Sequence, residues 1–240
     1  MQTIKEYLSQ TNFEHVLLAP INIFYQLMSA DNTTAILNID VEHKSLIADL
    51  EGNWTVIRDE ALKLIKDMSP IKGEQFFGPT VIRNDLWKKM YRKWYSDFDP
   101  VAVEKCPKTV NIIRKHADIH LAMFSLLEKG GRIHKHAGPF RGCIRLHLGL
   151  DTPNSDDCYI NIGPSRYSWR DGHLVALDDT YRHEVFNNTN KDRLILFMDL
   201  ERKMSSKWAT KFNQLLIKYI APLTTRANAK LEKVVKSVTD

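Results

Sequence analysis

Between Gly130 and Asp199 the chain reads GGRIHKHAGPFRGCIRLHLGL, CYINIG, RYSWRDGHLVALDDTYRHEVF and KDRLILFMD, short alternating segments broken by Gly, Pro and Asp-Gly. No other feature restricts the fold as much. Ile144, Leu146, Leu148 and Leu150 place an aliphatic side chain at every second position, with Arg145 and His147 between them. A strand sends alternate residues to opposite faces, so one face packs and the other is polar. Residues 193–200 repeat the pattern, with Leu194, Leu196, Met198 and Leu200 on one face and Arg193, Ile195, Phe197 and Asp199 on the other. Asp171-Gly172, between Trp169 and Leu174, carries the signal of a hairpin. Strands this short and this closely spaced suit an antiparallel sandwich or barrel. A small barrel holds one ligand at its mouth, where inward polar side chains converge.

Two histidines stand out from the nine by their setting. His136 precedes the turn former Gly138-Pro139, and His183 follows Asp178-Asp179-Thr180, so each sits at a strand end. Neutral imidazoles suit Fe(II), and Arg193, ten residues after His183, offers a planar fork for the carboxylate of an acidic co-substrate. Non-haem iron sites commonly add a carboxylate two residues after the first histidine; here that position is Gly138. His134 and His136 could instead form the H-x-H pair of a cupin, with His183 and Asn187 at a fitting spacing. Phe140 and Arg141 then stand where a cupin glutamate is expected. In the plainest reading all these histidines are structural.

The remainder of the chain frames this stretch. At 240 residues one domain with appended helices is expected: a helical part over 1–110, a β core over 111–200 and basic helices over 201–240. Cys106, Cys143 and Cys158 are odd in number and form no C-x-x-C pair, which argues against a disulfide scaffold or zinc ribbon and fits a reducing compartment. Residues 1–10 are polar and carry no secretory core. A cytoplasmic protein is expected, with peripheral contact at the inner face of the cell membrane as the variant reading. Val16–Met28 is apolar but too short to span a bilayer and contains Pro20, so a buried helix or wrap is expected, with an in-plane membrane contact as the alternative. Residues 42–68 show helical spacing, with Gly52-Asn53 as a break. Aromatic and basic residues mix around FFGPTVIRNDLWKKMYRKWYSDFDP, yet packing aromatics beside solvated bases explain them, and nucleic acid is not expected. Residues 201–240 hold nine basic side chains and three acidic ones, a net +6 in a chain of +5 overall. Trp208, Phe212, Leu215, Leu216, Tyr219 and Ile220 give that region an apolar stripe, and a second, Lys-rich helix follows Pro222. A helix docked on the barrel with its basic face solvated is expected, an anionic membrane surface being the alternative partner.

HAGPFRGCIRLHLGL, RYSWRDG, DDTYRHEVF and DRLILFMDLER together resemble the aspartyl/asparaginyl β-hydroxylase family of Fe(II)/2-oxoglutarate dioxygenases. LLAP, NWTVIRDEAL, RKWYSD, CPKT and AMFSLL resemble its bacterial lipid A 2-hydroxylase branch, and the likeness covers residues 16–205. The resemblance implies a double-stranded β-helix, jelly-roll or cupin-like, with N- and C-terminal helices. It makes His136 and His183 the iron ligands, assigns Arg193 and Ser125 to the distal carboxylate of 2-oxoglutarate, and places Arg145 and His147 near its chelating end. It implies hydroxylation with O2 and 2-oxoglutarate, at the 2-position of a fatty acyl chain of lipid A or a related lipid. Gly138 and His183-Glu184-Val185-Phe186 resemble the animal members instead, which implies β-hydroxylation of an Asp or Asn side chain in a peptide or carrier-bound amino acid. A two-histidine iron site is then expected, with Asp178 or Asp179 as outer support. A metal-binding adaptor without catalysis is the reading from a different class.

Overall fold

The computed structural model describes residues 13–29, 34–65, 69–70, 86–94, 97–138 and 140–219. Helix α1 (Phe13–Met28) carries Pro20 within it, and strand β1 (Ile36–Leu37) follows. Helices α2 (Lys44–Gly52) and α3 (Trp54–Leu62) meet at Asn53, the break expected from Gly52-Asn53. Strands β2 (Ser69–Pro70), β3 (Trp87–Trp94) and β4 (Asp97–Phe98) lead to helices α4 (Pro100–Lys105) and α5 (Pro107–Arg114). Then come β5 (Ile119–Leu127), β6 (Arg132–His136), β7 (Cys143–Asp151), β8 (Cys158–Ile162), β9 (Ser165–Ser168), β10 (Leu174–Leu177), β11 (His183–Asn187) and β12 (Arg193–Glu201), closed by helix α6 (Lys207–Tyr219).

The last eight strands divide equally between two sheets, four in each. One contains β10-β7-β12-β5 in that order, extended by β1 at one end and by β3, β2 and β4 at the other; the second is β6-β11-β8-β9. All pairings are antiparallel. Consecutive pairs of strands crossing between two facing sheets form the double-stranded β-helix, a jelly roll. The alternation of β7 and β12 falls as expected. Ile144, Leu146, Leu148, Leu150, Leu194, Leu196, Met198 and Leu200 pack outward against α2, α3 and α5 through Leu46, Leu50, Ile57, Ala61 and Ile113. Their polar alternates turn inward.

Helix α5 shows why the helical layer sits where it does. It begins with Pro107, whose missing N–H costs nothing at a helix start. The buried Glu60 carboxylate of α3 then accepts bonds from the N–H groups of Lys108 and Thr109, at 3.0 and 2.9 Å, and from the Thr109 hydroxyl at 2.7 Å. An acid on one helix thus satisfies the orphan donors of another and ties the two together.

Three expectations are corrected. The part up to residue 110 is not wholly helical: β3 pairs along β5 from Trp87↔Leu127 to Trp94↔Leu121, so it enlarges the barrel sheet. Asp171-Gly172 does not join a hairpin, because β9 pairs with β8 whereas β10 pairs with β7. It is a crossover between sheets, with Gly172 at φ +77° and Trp54 so close that a side chain there would collide. The true hairpin is β8–β9, turned by Gly163-Pro164 with Gly163 at φ +51°. Finally, α6 docks not by its large apolar residues but by Ala209, Asn213 and Ile217, while Trp208, Phe212, Leu215 and Tyr219 face outward. Pro139, Ile220, the helix expected after Pro222 and the whole stretch from Phe76 to Asn84 lie outside the described residues.

Candidate active site

The inward faces of β6, β7, β11 and β12 line a space of about 530 Å³, part of which is open solvent. Its walls hold His136, His183, Arg145, His147, Asp179, Ser125 and Arg193 among Trp87, Ile133, Ile160, Ile162, Leu177, Val185, Ile195 and Phe197. All six residues singled out from the sequence therefore line one cavity, although Ser125 and Arg193 are 68 positions apart in the chain.

The register of β6 against β11 makes the histidine pair. His136 and His183 are opposite one another, and the register shifts immediately after His183. Their rings lie 4.2 Å apart between centroids, inclined at 57°. Each ring is oriented by the backbone two residues upstream: His136 Nδ1 bonds to the His134 carbonyl at 2.7 Å and His183 Nδ1 to the Tyr181 carbonyl at 2.9 Å. A carbonyl only accepts, so Nδ1 carries the proton in both rings, and each Nε2 edge is turned away from that bond. Burial lowers the pKa of His183 to about 4, so it is neutral at pH 7. His134 does not line the cavity, and the H-x-H pair does not converge. Among the described residues no group of three or more His, Cys, Asp and Glu side chains is arranged to hold a metal.

Two adjacent aspartates have opposite fates. Asp178 is buried in an ion cluster: Oδ2 accepts from Arg141 Nη2 at 3.0 Å and lies 2.9 Å from Arg202 Nη2, while Oδ1 accepts from the Thr180 hydroxyl at 2.5 Å. Burial alone would raise its carboxyl, but Arg202, Arg141 and Thr180 outweigh that and hold it below the usual range. The cluster fixes the loop after His136 to the loop before His183. Asp179 points into the cavity, where Arg145 Nη2 bonds it at 2.9 Å. Its carboxylate stands where a side chain at position 138 would be: a Cβ on Gly138 would lie 2.3 Å from Oδ2. Burial lifts the Asp179 carboxyl to about 6 against the pull of Arg145. Between the expected supports, geometry selects Asp179 and assigns Asp178 to structure.

At the far end three buried nitrogens, Arg193 Nε and both of His147, lack hydrogen-bond partners. Arg193 is only 2% exposed, packs its guanidinium 4.4 Å from the Trp169 ring centroid, and leaves Nε without a hydrogen-bond partner. No carboxylate among the described residues pairs with it, and burial drags its pKa down to about 10. Both His147 ring nitrogens lack partners, and burial followed by the charges of Arg193 and Arg145 drives its pKa well below 6.5, so it is neutral. A buried unpaired guanidinium is costly in a folded protein unless an anion joins it. Ser125 lies in the same wall and accepts a bond from Trp87 Nε1 at 2.8 Å, which leaves its own O–H to donate. Arg145 differs from Arg193, since Asp179 and Asp199, the latter 2.6 Å from Nε, already neutralise it. Trp87 is the site residue that the sequence did not single out; it sits in a stretch read as packing aromatics beside solvated bases.

Residues 51–203 match the sequence profile described as Aspartyl/Asparaginyl beta-hydroxylase. The chain belongs to the aspartyl/asparaginyl β-hydroxylase family. An ornithine lipid ester-linked acyl 2-hydroxylase of Rhizobium tropici is 30% identical over 163 residues, covering 66% of this chain and 58% of that protein. The aspartyl/asparaginyl beta-hydroxylase of Mus musculus is 26% identical over 166 residues, covering 66% of this chain and 22% of the mouse protein. The chain thus spans less than two thirds of either relative. Among solved structures, a Pseudomonas putida prolyl-4-hydroxylase covers 66% of this chain and 98% of its own at TM-score 0.44 and 17% identity. A 2OG-Fe(II) oxygenase family oxidoreductase from Burkholderia pseudomallei covers 61% and 78% at TM-score 0.44 and 11% identity. No helix among the described residues is long and apolar enough to cross a membrane.

Proposed function

We propose that this family member is an Fe(II)- and 2-oxoglutarate-dependent hydroxylase that acts on the 2-position of a lipid acyl chain, in contact with an anionic membrane. The observation that carries the reading is the buried, carboxylate-free Arg193 in the same cavity as two facing imidazoles, each oriented through Nδ1 by a backbone carbonyl. The first calls for an acidic ligand and the second for a metal ion. His136 and His183 would hold the iron through Nε2. Arg193 and the Ser125 hydroxyl would take the distal carboxylate of 2-oxoglutarate, and neutral His147 would donate a hydrogen bond near its other end. When bound, iron and 2-oxoglutarate supply the oxidising chemistry that converts O2 and an unactivated C–H bond into hydroxyl, succinate and CO2. The chain's own part is placement: Trp87 fixes Ser125, Arg145 holds Asp179 beside the histidines, and aliphatic walls keep water away from the reacting carbon.

The lipid substrate is favoured by the cavity's aliphatic lining and by the Rhizobium relative, whose name specifies an acyl 2-hydroxylase. Asp or Asn side-chain β-hydroxylation is the second reading; Gly138, where a ligand carboxylate is commonly found, and the mouse relative favour it.

The test is anaerobic addition of Fe(II) and then 2-oxoglutarate, watching for the weak visible charge-transfer band of the chelate, followed by succinate release with dispersed acyl lipid or with an Asp-containing peptide. A band in the wild type that disappears in His136→Ala and His183→Ala is expected, with turnover stimulated by the lipid. A folded protein with no band would overturn the reading in favour of a non-catalytic adaptor, and stimulation by the peptide alone would decide for the second substrate.

A further inference from the structure

Helix α6 carries its largest apolar side chains on the outside. Trp208 is 59% exposed, Leu215 53% and Tyr219 56%, with Phe212 beside them at 40%. They recur at positions i, i+4, i+7 and i+11, which is one continuous stripe of a helix. Phe24 of α1 extends it, its ring centroid 5.6 Å from that of Trp208 and 5.5 Å from that of Phe212, and Leu27 on the same helix is 77% exposed. Contiguous apolar surface of this kind marks a contact site on a folded protein.

The charges around the stripe say what covers it. Lys207, Lys211 and Lys218 flank Trp208, Phe212 and Tyr219, each one residue before an aromatic, and α6 contains no acidic residue. Among the described residues none of the three forms an ion pair. Trp and Tyr at the level of headgroups, with lysines beside them, are the chemistry of a helix lying in the plane of an anionic bilayer surface. A protein partner of matching acidity is the weaker choice, because exposed Trp, Tyr and Leu with flexible lysine stems suit a surface without fixed shape.

The stripe is also mechanically close to the site. On its inner side Asn213 accepts a bond from Tyr25 at 2.8 Å and donates to the Gly142 carbonyl at 2.9 Å, while Asn22 of α1 accepts from the Arg141 N–H at 2.9 Å. Gly142 and Arg141 belong to the loop that joins His136 to β7. Helices α1 and α6 therefore form a cradle with the iron-ligand loop on one side and the apolar stripe on the other.

We propose that the outer face of α6, continued by Phe24 and Leu27 of α1, docks the protein on an anionic lipid surface. The assignment gives the lipid reading a surface and rests on that reading only for its purpose. Co-sedimentation of the full, metal-free chain with phosphatidylglycerol/phosphatidylcholine vesicles tests it without any turnover. Binding that weakens with salt and is much poorer on phosphatidylcholine alone is expected. Trp208→Ser/Leu215→Ser should lower partitioning by about tenfold or more. Lys207→Glu/Lys211→Glu should lower it by at least about 25-fold, taking about fivefold per lysine. Both variants replace exposed side chains and should melt with the wild type and keep its rate on detergent-dispersed substrate. No binding by the wild type, equal binding to neutral vesicles, or undiminished binding by either variant would overturn the proposal. So would a dimer in sedimentation velocity that Trp208→Ser/Leu215→Ser converts to monomer, since the face would then belong to a second copy. Loss of turnover in the wild type with vesicle binding intact would instead remove the lipid-hydroxylase reading and leave the surface standing.

Discussion

Replacing Gly138 with alanine should destabilise the metal-free protein, and the cause is one carboxylate. A Cβ at 138 would sit 2.3, 2.4 and 2.6 Å from Asp179 Oδ2, Cγ and Oδ1, about 1 Å inside ordinary contact. The backbones cannot separate easily, because the Gly138 N–H donates to the Asp179 carbonyl at 2.7 Å. The Asp179 side chain is short and held by Arg145, so relief requires it to swing away and give up that pair. Overpacking of this kind costs about 1–3 kcal/mol, and Arg145 retains Asp199, which limits the ion-pair loss; a total of about 2–4 kcal/mol follows. For a chain of this size that corresponds to a fall in Tm of roughly 4–16 °C. Asp179→Ala removes the obstruction, so Gly138→Ala/Asp179→Ala should be no less stable than Asp179→Ala alone, a coupling of about 2 kcal/mol or more in a double-mutant cycle by thermal and chemical denaturation. Strictly additive costs, or Gly138→Ala melting with the wild type, would refute the placement of Asp179. The same geometry forecasts that Gly138→Asp will not gain iron affinity unless Asp179 is shortened with it.

Arg193→Met removes a buried cation that has no carboxylate partner, so the ligand-free protein should gain about 1–2 kcal/mol in denaturant titration. The thermal stabilisation that 2-oxoglutarate gives the wild type should be lost in the same variant. Asp178→Asn leaves Arg141 and Arg202 buried without their anion and should cost about 3–5 kcal/mol by equilibrium unfolding. Because the folded Asp178 carboxyl titrates below its ordinary 3.8, its contribution is fully present above that value and is lost as pH falls through the folded pKa; the gap between wild type and variant should close only in that acidic window. Trp87→Phe deletes the donor that orients Ser125, and should raise the KM for 2-oxoglutarate a few-fold with kcat little changed; a kcat loss at unaltered KM would contradict the positioning role.

The sequence by itself determined which faces of β7 and β12 are polar, and therefore that Arg145, His147 and Arg193 are available to a cavity. That information is local: a period of two in a strand fixes inside and outside before any partner strand is known. It also placed the break at Asn53, and it flagged His136 and His183 by the turn formers beside them. Tertiary structure decided everything that depends on register and neighbours. The β6–β11 pairing sets the two histidines opposite each other, and pairing across sequence distance leaves no trace in either segment. Trp87 looked like one aromatic in a basic stretch until β3 was laid along β5 and its indole met Ser125. Asp178 and Asp179 are chemically identical neighbours, and only the buried arginines on one side and the gap above Gly138 on the other assign the first to scaffold and the second to the site. In α6 the apolar stripe was legible but its direction was not, because the buried side is the seam of Ala209, Asn213 and Ile217, with Asn213 hydrogen-bonded to Gly142 in the loop after His136. Packing and polar satisfaction, which are properties of pairs of segments, settle what periodicity along one segment cannot.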